Sequence, residues 1–156
     1  MDVTTLAPKD PDVAATYSID WSRQLVQDVK RSTSYVLGAI VRPTRWAGFF
    51  WEATTAGDTG QQVPSKTPRA AAETLADGSV VWTARHPSSV SIPTVSTAVW
   101  TIPSGLTLSS QLEDTAATHV TLTGGVDGAD YEITCRMTPT TGNPLDQTVV
   151  IPVRRQ

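Results

Sequence analysis

Asp127-Gly128-Ala129-Asp130-Tyr131-Glu132-Ile133-Thr134-Cys135-Arg136-Met137-Thr138 is the stretch that decides the fold class. From Tyr131 onward the residues alternate. Tyr131, Ile133, Cys135 and Met137 are apolar or aromatic, and Glu132, Thr134, Arg136 and Thr138 are polar. Successive side chains of a strand point to opposite faces, so this period of two writes one buried face and one wetted face. On a helix Tyr131 and Ile133 would fall on opposite sides. The same period recurs outward in both directions. Downstream, Pro139 to Pro144 with Gly142-Asn143 reads as a turn, and Val149, Ile151 and Val153 then alternate with Thr148 and Val150. Pro152 cannot donate to a ladder, so it marks either an edge strand or a strand end. Upstream, Thr118, Val120 and Leu122 alternate until Gly124-Gly125. Ala98, Trp100 and Ile102 alternate until Pro103-Ser104-Gly105, and a weaker run follows from Leu106 through Leu112. Tyr17, Ile19 and Trp21 alternate with Ser18 and Asp20. Ser22 to Lys30 is expected as loop or strand.

Several short strands with regular turns and almost no helical periodicity predict an all-β chain. Asp127 to Tyr131, set directly before the best strand, has the spacing of a tyrosine corner. There a tyrosine hydroxyl bonds back to the backbone a few residues upstream and pins a crossover between sheets. The expected fold is therefore an immunoglobulin-like antiparallel β-sandwich.

A second pattern interrupts the first. Tyr35 to Thr44, Gly48 to Gly60 and Asp77 to Ala84 are three short strand-like runs, rich in aromatics and separated by Gly, Pro and Thr. They predict a small inserted β module. The expected organisation is an N-terminal arm over 1–11, a discontinuous sandwich over 12–33 and 87–156, and the module over 34–86. A small module needs large aromatics to bury enough area. Tyr35, Trp46, Phe49, Phe50, Trp51 and Trp82 supply them. Phe49 and Trp51 share one strand face and Phe50 takes the other, so one set should be exposed or packed on a neighbour. Trp46, in the turn after Arg45, is the first candidate for exposure. The candidate contact residues, for a protein partner or a glycan, are Arg42, Arg45, Trp46, Phe50 and Asn143. The N-terminal arm, the Arg42 to Phe50 region and the turn Thr140 to Pro144 are the expected contact surfaces.

Composition narrows the function. The net charge is -3 and the charged fraction 17%, with no basic stripe of the kind nucleic-acid binding requires. The apolar runs are too short to cross a bilayer, and Met1-Asp2-Val3-Thr4-Thr5 has no signal-peptide pattern. One cysteine excludes an internal disulfide and fits folding in a cytoplasm.

Catalytic and metal motifs are not found. Asp58-Thr59-Gly60 spells an aspartic-protease triplet, but that chemistry needs two carboxylates sharing a proton, and there is one copy; turn chemistry explains it better. His86 and His119 are the only histidines and have no ligand spacing. Cys135 lies on the apolar strand face, which reads as core. Asp127, Asp130 and Glu132 lack the order of a calcium loop and fit a tight turn. No serine sits in a nucleophile elbow and no glycine run has phosphate-loop spacing. The expectation is no catalytic residues, no cofactor and no metal.

The flanks carry a family resemblance. It rests on Asp10-Pro11-Asp12, Tyr17-Ser18-Ile19-Asp20-Trp21-Ser22, Trp100-Thr101-Ile102-Pro103-Ser104-Gly105-Leu106-Thr107, Thr121-Leu122-Thr123-Gly124-Gly125, Tyr131 to Arg136 and Val149 to Val153. In that order they resemble bacteriophage fiber-tail adaptor proteins. The inserted stretch resembles small modules of phage tail and fibre proteins, distantly similar to chitin-binding carbohydrate modules. The resemblance implies a virion structural protein, not an enzyme, that joins receptor-binding fibres or spikes to the tail or head-tail junction. It implies a homo-oligomer, ring or trimer, made in the host cytoplasm. Its expected partners are other phage tail, fibre or portal-proximal proteins, with no nucleic acid and no membrane. The alternatives are a head or collar decoration protein, or a host-surface module that uses the insertion to bind glycan.

Overall fold

The computed structural model describes residues 4–155. In chain order the strands are β1 (Thr4–Thr5), β2 (Ala15–Asp20), β3 (Ser34–Tyr35), β4 (Ile40–Val41), β5 (Phe50–Thr55), β6 (Gly57–Asp58), β7 (Thr74–Asp77), β8 (Val80–Arg85), β9 (Val95–Thr101), β10 (Leu106–Glu113), β11 (Ala117–Gly124), β12 (Asp130–Pro139) and β13 (Leu145–Pro152). One helical turn, α1 (Ser22–Leu25), stands where loop or strand was expected. The Asp20 carboxylate starts it by accepting the Ser22 N–H at 2.8 Å. The chain divides after Ser22 and after Ile92 into a flanking unit and an inserted unit, Arg23–Ile92. Residues 23–33 and 87–92 thus go with the inserted unit.

The flanking unit is an antiparallel β-sandwich, with β1 as its one parallel strand. One sheet has the order β1-β13-β12-β9 and the other β10-β11-β2. The period of two becomes the core: Ile133, Cys135 and Met137 of β12, Val149 and Ile151 of β13, and Val120 and Leu122 of β11 are all buried. In register, Cys135 stands between Gln147 of β13 and Trp100 of β9. Thr118 crosses the core polar but satisfied, accepting the Trp21 indole N–H at 3.0 Å and lying 3.6 Å from Cys135 Sγ. The expected corner bond is present, since the Tyr131 hydroxyl accepts the Val126 N–H at 3.1 Å. Gly105, at φ +101, gives that ring its room; a Cβ there would stand 2.8 Å from the hydroxyl.

Two expectations change in this unit. Of the arm expected over 1–11, residues 1–3 lie outside the described residues. From Thr4 the chain does not extend away but pairs parallel with β13, Thr4 opposite Val149 and Thr5 opposite Val150. β13 is therefore not the edge of its sheet, and Pro152 is the residue that ends it. Further along, β10 carries a bulge between Leu108 and Ser110. Beyond it Leu112 pairs with outward-facing His119, while Gln111 pairs with buried Val120 and Glu113 with buried Thr118. The bulge puts a leucine on the outer face and two polar side chains, both still exposed, on the other. Both polar groups are used: Glu113 accepts the Ala98 N–H at 3.3 Å and Gln111 donates to the Ala98 carbonyl at 3.4 Å. They occupy the N–H and the carbonyl of Ala98 on the open edge of β9, which blunts that edge for pairing.

The inserted unit holds a sheet of order β4-β5-β8-β7 and a two-stranded β3-β6 ladder. Trp51 and Trp82 are fully buried, with Val29, Val41, Ala53, Val80 and Ala84 around them. Tyr35 meets Trp82 edge-on at 5.0 Å. Asp58 lies in β6 and Thr59 is a buried junction: its hydroxyl donates to the Lys30 carbonyl at 2.7 Å and accepts the Thr33 N–H at 3.0 Å. Gly78, at φ +62, lets the β7–β8 turn close on this ladder; a Cβ there would stand 2.3 Å from the Asp58 carbonyl oxygen.

Candidate interaction surfaces

β4 ends at Val41 and β5 begins at Phe50, with Ile40 opposite Glu52 and Val41 opposite Trp51. The connection between them carries most of the residues expected to contact a partner. Trp46 folds back over Phe50, ring centroids 4.8 Å apart and planes tilted by 58°. The Arg42 guanidinium stands 5.3 Å from the Trp46 centroid and 5.8 Å from that of Phe50, within cation–π range. Thr44 ties the connection down by donating to the Pro64 carbonyl at 2.7 Å. Arg45 is exposed.

The expectation of two conflicting faces on β5 resolves here. Trp51 joins the core and Phe49 packs half-buried against it. Phe50, on the opposite face, is not an exposed contact. It is 3% exposed beneath Trp46, which remains 48% exposed. The physical reason is local: the turn returns a second aromatic to cover the first, so Phe50 supports the platform and Trp46 presents it. Along the same sheet face Arg85, opposite Phe50, donates to the Glu52 carboxylate. Next to that pair Thr54 and Thr83 share a hydrogen bond of 2.9 Å. The face thus runs from a cation–aromatic stack through an ion pair to a hydroxyl pair. Sequence reading missed the last two pairs, because a cross-strand pair is visible only once the register is known.

Asn143 belongs to the flanking unit. It is exposed on the turn between β12 and β13, beside Gly142 at φ +105. The Thr140 N–H donates to the Thr94 carbonyl at 2.8 Å, and Thr140 Oγ1 accepts the Thr94 N–H at 3.1 Å, so the turn stands on a fixed base. The same unit carries two open grooves that sequence reading missed. One, of about 320 Å³, is lined by Thr16, Ser110, Gln111, Leu112, His119 and Thr121. Leu112 is 64% exposed there, a consequence of the bulge. The other, of about 340 Å³, is lined by Val99, Thr101, Thr134, Arg136 and Asp146. Arg136 grips Asp146 through two bonds of 2.8 and 2.7 Å. That grip holds the Asp146 carboxyl below its ordinary range and raises the guanidinium above its own.

The titratable groups are used structurally. Burial pushes the Cys135 thiol up, which suits a core residue and not a nucleophile. His119 Nδ1 lies 2.6 Å from the Ser18 hydroxyl, and His86 Nδ1 lies 2.8 Å from that of Ser88. In a serine nucleophile pair the hydroxyl faces Nε2 and Nδ1 is given to an orienting carboxylate; here the nitrogen facing the hydroxyl is the other one. Asp130 pairs with Arg154 at 2.7 Å, and Asp127 accepts the Arg155 N–H at 2.9 Å, so both acids of that turn are engaged. Among the described residues no three His, Cys, Asp or Glu side chains gather in a way that could hold a metal ion. Nor is any helix among them long and apolar enough to cross a membrane.

Residues 66–152 match the family described as podophage GP4 fiber-tail adaptor protein gp77. The match runs from the second half of the inserted unit through β13, and it omits the Asp10 to Ser22 stretch that carried part of the resemblance in the sequence. No curated protein and no solved structure matches the chain.

Proposed function

Because the chain belongs to the podophage GP4 fiber-tail adaptor protein family, we propose that it is a structural part of the phage tail that joins receptor-binding fibres or spikes to the tail or head-tail junction. The observation that carries this reading is the family match from residue 66 to residue 152, which spans β7 to β13. The work is adhesion, not catalysis. The inserted unit offers the chemistry for it: an exposed Trp46 held by Phe50 and flanked by Arg42. Tryptophan and arginine are the residue types that dominate binding energy at protein interfaces, and a pre-positioned ring loses little entropy on docking. A ring or trimer would repeat such a contact, so that modest single sites add through avidity.

Cryo-electron microscopy of purified virions tests the reading. It expects a symmetric ring of copies at the tail in contact with fibre density. Copies confined to the capsid shell, or absent from the virion, would refute it. Trp46→Ala virions should keep the copies and lose fibres, since the side chain sits largely outside the core. The exposed half of Trp46, with the Glu52–Arg85 pair and then the Thr54–Thr83 hydroxyls further along the same sheet face, also favours glycan recognition as a second reading. Binding of host-surface oligosaccharide by the isolated protein, lost in Trp46→Ala, would move the assignment to that reading.

A further inference from the structure

The segment from Thr4 to Asp10 clasps both sheets of the flanking unit. To the first sheet it is held by main-chain bonds: Leu6 N–H to the Val150 carbonyl at 2.8 Å, Lys9 N–H to the Pro152 carbonyl at 2.9 Å, and Arg154 N–H to the Lys9 carbonyl at 2.9 Å. To the second it is held by the Tyr17 hydroxyl, which donates to the Ala7 carbonyl at 3.2 Å, and by Lys9. Lys9 is 1% exposed, and its ammonium donates to the carbonyls of Asp10 at 2.7 Å and Gly124 at 2.8 Å. A buried ammonium is costly unless it is hydrogen-bonded, so the slot it fills selects this segment in this register. The rest of the segment buries little: Thr4, Thr5, Ala7 and Pro8 are all exposed. Between clasp and β2 lies an exposed turn, closed by the Val13 N–H on the Asp10 carbonyl at 3.3 Å and the Asp12 N–H on Asp10 Oδ1 at 2.9 Å.

We propose that the partner of this slot in the assembled protein is the same segment of a second copy: the clasp is exchanged between neighbouring chains. The same main-chain, Tyr17 and Lys9 bonds would re-form in trans, so exchange is governed by the hinge turn and by local concentration. Exchange requires the turn at Asp10–Val13 to open. Each copy then contributes its Lys9 to its neighbour's Gly124. The surface at the hinge leaves apolar groups for a neighbour to cover. Val13 and Val126 are 58% and 63% exposed, beside Asp12 and Asp127, which Arg155 joins by a 3.6 Å ion pair and a 2.9 Å hydrogen bond.

Two single-cysteine variants decide the matter. Thr5→Cys and Val150→Cys are placed at facing positions of β1 and β13, and native Cys135 is fully buried. The two proteins are mixed while unfolded, refolded together, concentrated, separated by size and treated with a short bismaleimide. Exchange predicts an oligomer fraction in which Thr5→Cys of one chain links to Val150→Cys of another, with the yield reduced several-fold when Lys9→Ala is added. Should Lys9→Ala fail to fold, the cross-link between the parent variants still answers. An oligomer in which the mixed singles never link while a Thr5→Cys/Val150→Cys double variant links within one chain overturns the proposal. So does a chain that stays monomeric up to its solubility limit. Neither result bears on the tail assignment, which virion imaging reads separately.

Discussion

The two units solve the same burial problem in different ways. The flanking unit also buries two tryptophans, Trp21 and Trp100, but spreads the rest of its core over many medium side chains, among them Leu122, Ile133, Met137, Val149 and Ile151, presented by long alternating strands. The inserted unit concentrates its core in Trp51 and Trp82 with small residues between them. A distributed core tolerates the loss of one member; a core built on two large rings does not. The price appears on the surface too. In the flanking unit the strand faces away from the core are mostly hydroxyl and charged groups. In the inserted unit the second face of β5 still carries an aromatic, Phe50, and needs Trp46 to cover it. The unit that is hardest to close therefore exposes the larger sticky group.

Removing Trp82 should have the largest effect. Large-to-small changes at buried tryptophan cost about 3–5 kcal/mol. Here the loss extends to Tyr35, which packs on the ring, and to Asp77, which accepts the indole N–H at 3.4 Å. We expect Trp82→Ala to unfold the inserted unit at room temperature while the flanking unit stays folded. Cys135 is the reporter, since it is buried in the flanking unit alone and burial raises its pKa. Amide exchange should show Val80–Arg85 unprotected, and thiol labelling of Cys135 should stay slow. Fast labelling in that variant would mean that the two units unfold as one and that their cores do not differ in tolerance.

Ile133→Ala tests the other side. Its cost should be about 2–5 kcal/mol, but taken from a larger core. The variant should remain folded, with a lower urea midpoint and faster Cys135 labelling, and with Val80–Arg85 still protected. If Ile133→Ala unfolds the chain outright, the flanking core is no more tolerant than the inserted one.

The contrast also explains what could be read from the sequence. β2, β9, β11, β12 and β13 announce themselves because one of their faces is apolar and the other polar, and that asymmetry survives in one dimension. Tyr131 was legible as a corner because its bond is local, five residues back to Val126. β7 was not, since Thr74-Leu75-Ala76-Asp77 has no clear alternation and owes its place to pairing with β8. The outward turn of Leu112 depends on a bulge, which sequence period alone does not reveal. Among the candidate contacts, Trp46 is exposed as expected, while Phe50, expected on a face exposed or packed on a neighbour, is covered by Trp46, because which aromatic lies on top is decided by how the turn folds back. Glu52–Arg85 and Thr54–Thr83 join residues 33 and 29 positions apart and had no local signal.

Tyr131→Phe should have a smaller effect. It deletes the acceptor for the Val126 N–H and keeps the ring against Gly105. A single neutral bond contributes about 1 kcal/mol, so the urea midpoint should fall slightly with an unchanged slope. A steeper or shallower slope would mean that the corner sets how much of the flanking unit unfolds together, and not merely how stable it is.

The smallest effect belongs to Asp146. Its carboxyl is held below the ordinary range by the bonds from Arg136, so in the folded state it stays ionised to lower pH than in the unfolded chain. A group whose folded pKa is depressed contributes stability above its unfolded pKa and loses it as pH falls through the folded one. The window therefore opens at about pH 4, the usual aspartate value, and extends downward from there. Both partners are exposed, and solvent and salt screen such pairs. Asp146→Asn should lower the midpoint slightly at neutral pH, by an amount that vanishes below that window and shrinks at high salt. A large loss at neutral pH would show that the distributed core is not what holds the flanking unit, and that its stability leans on the surface of β12 and β13 as much as on their buried faces.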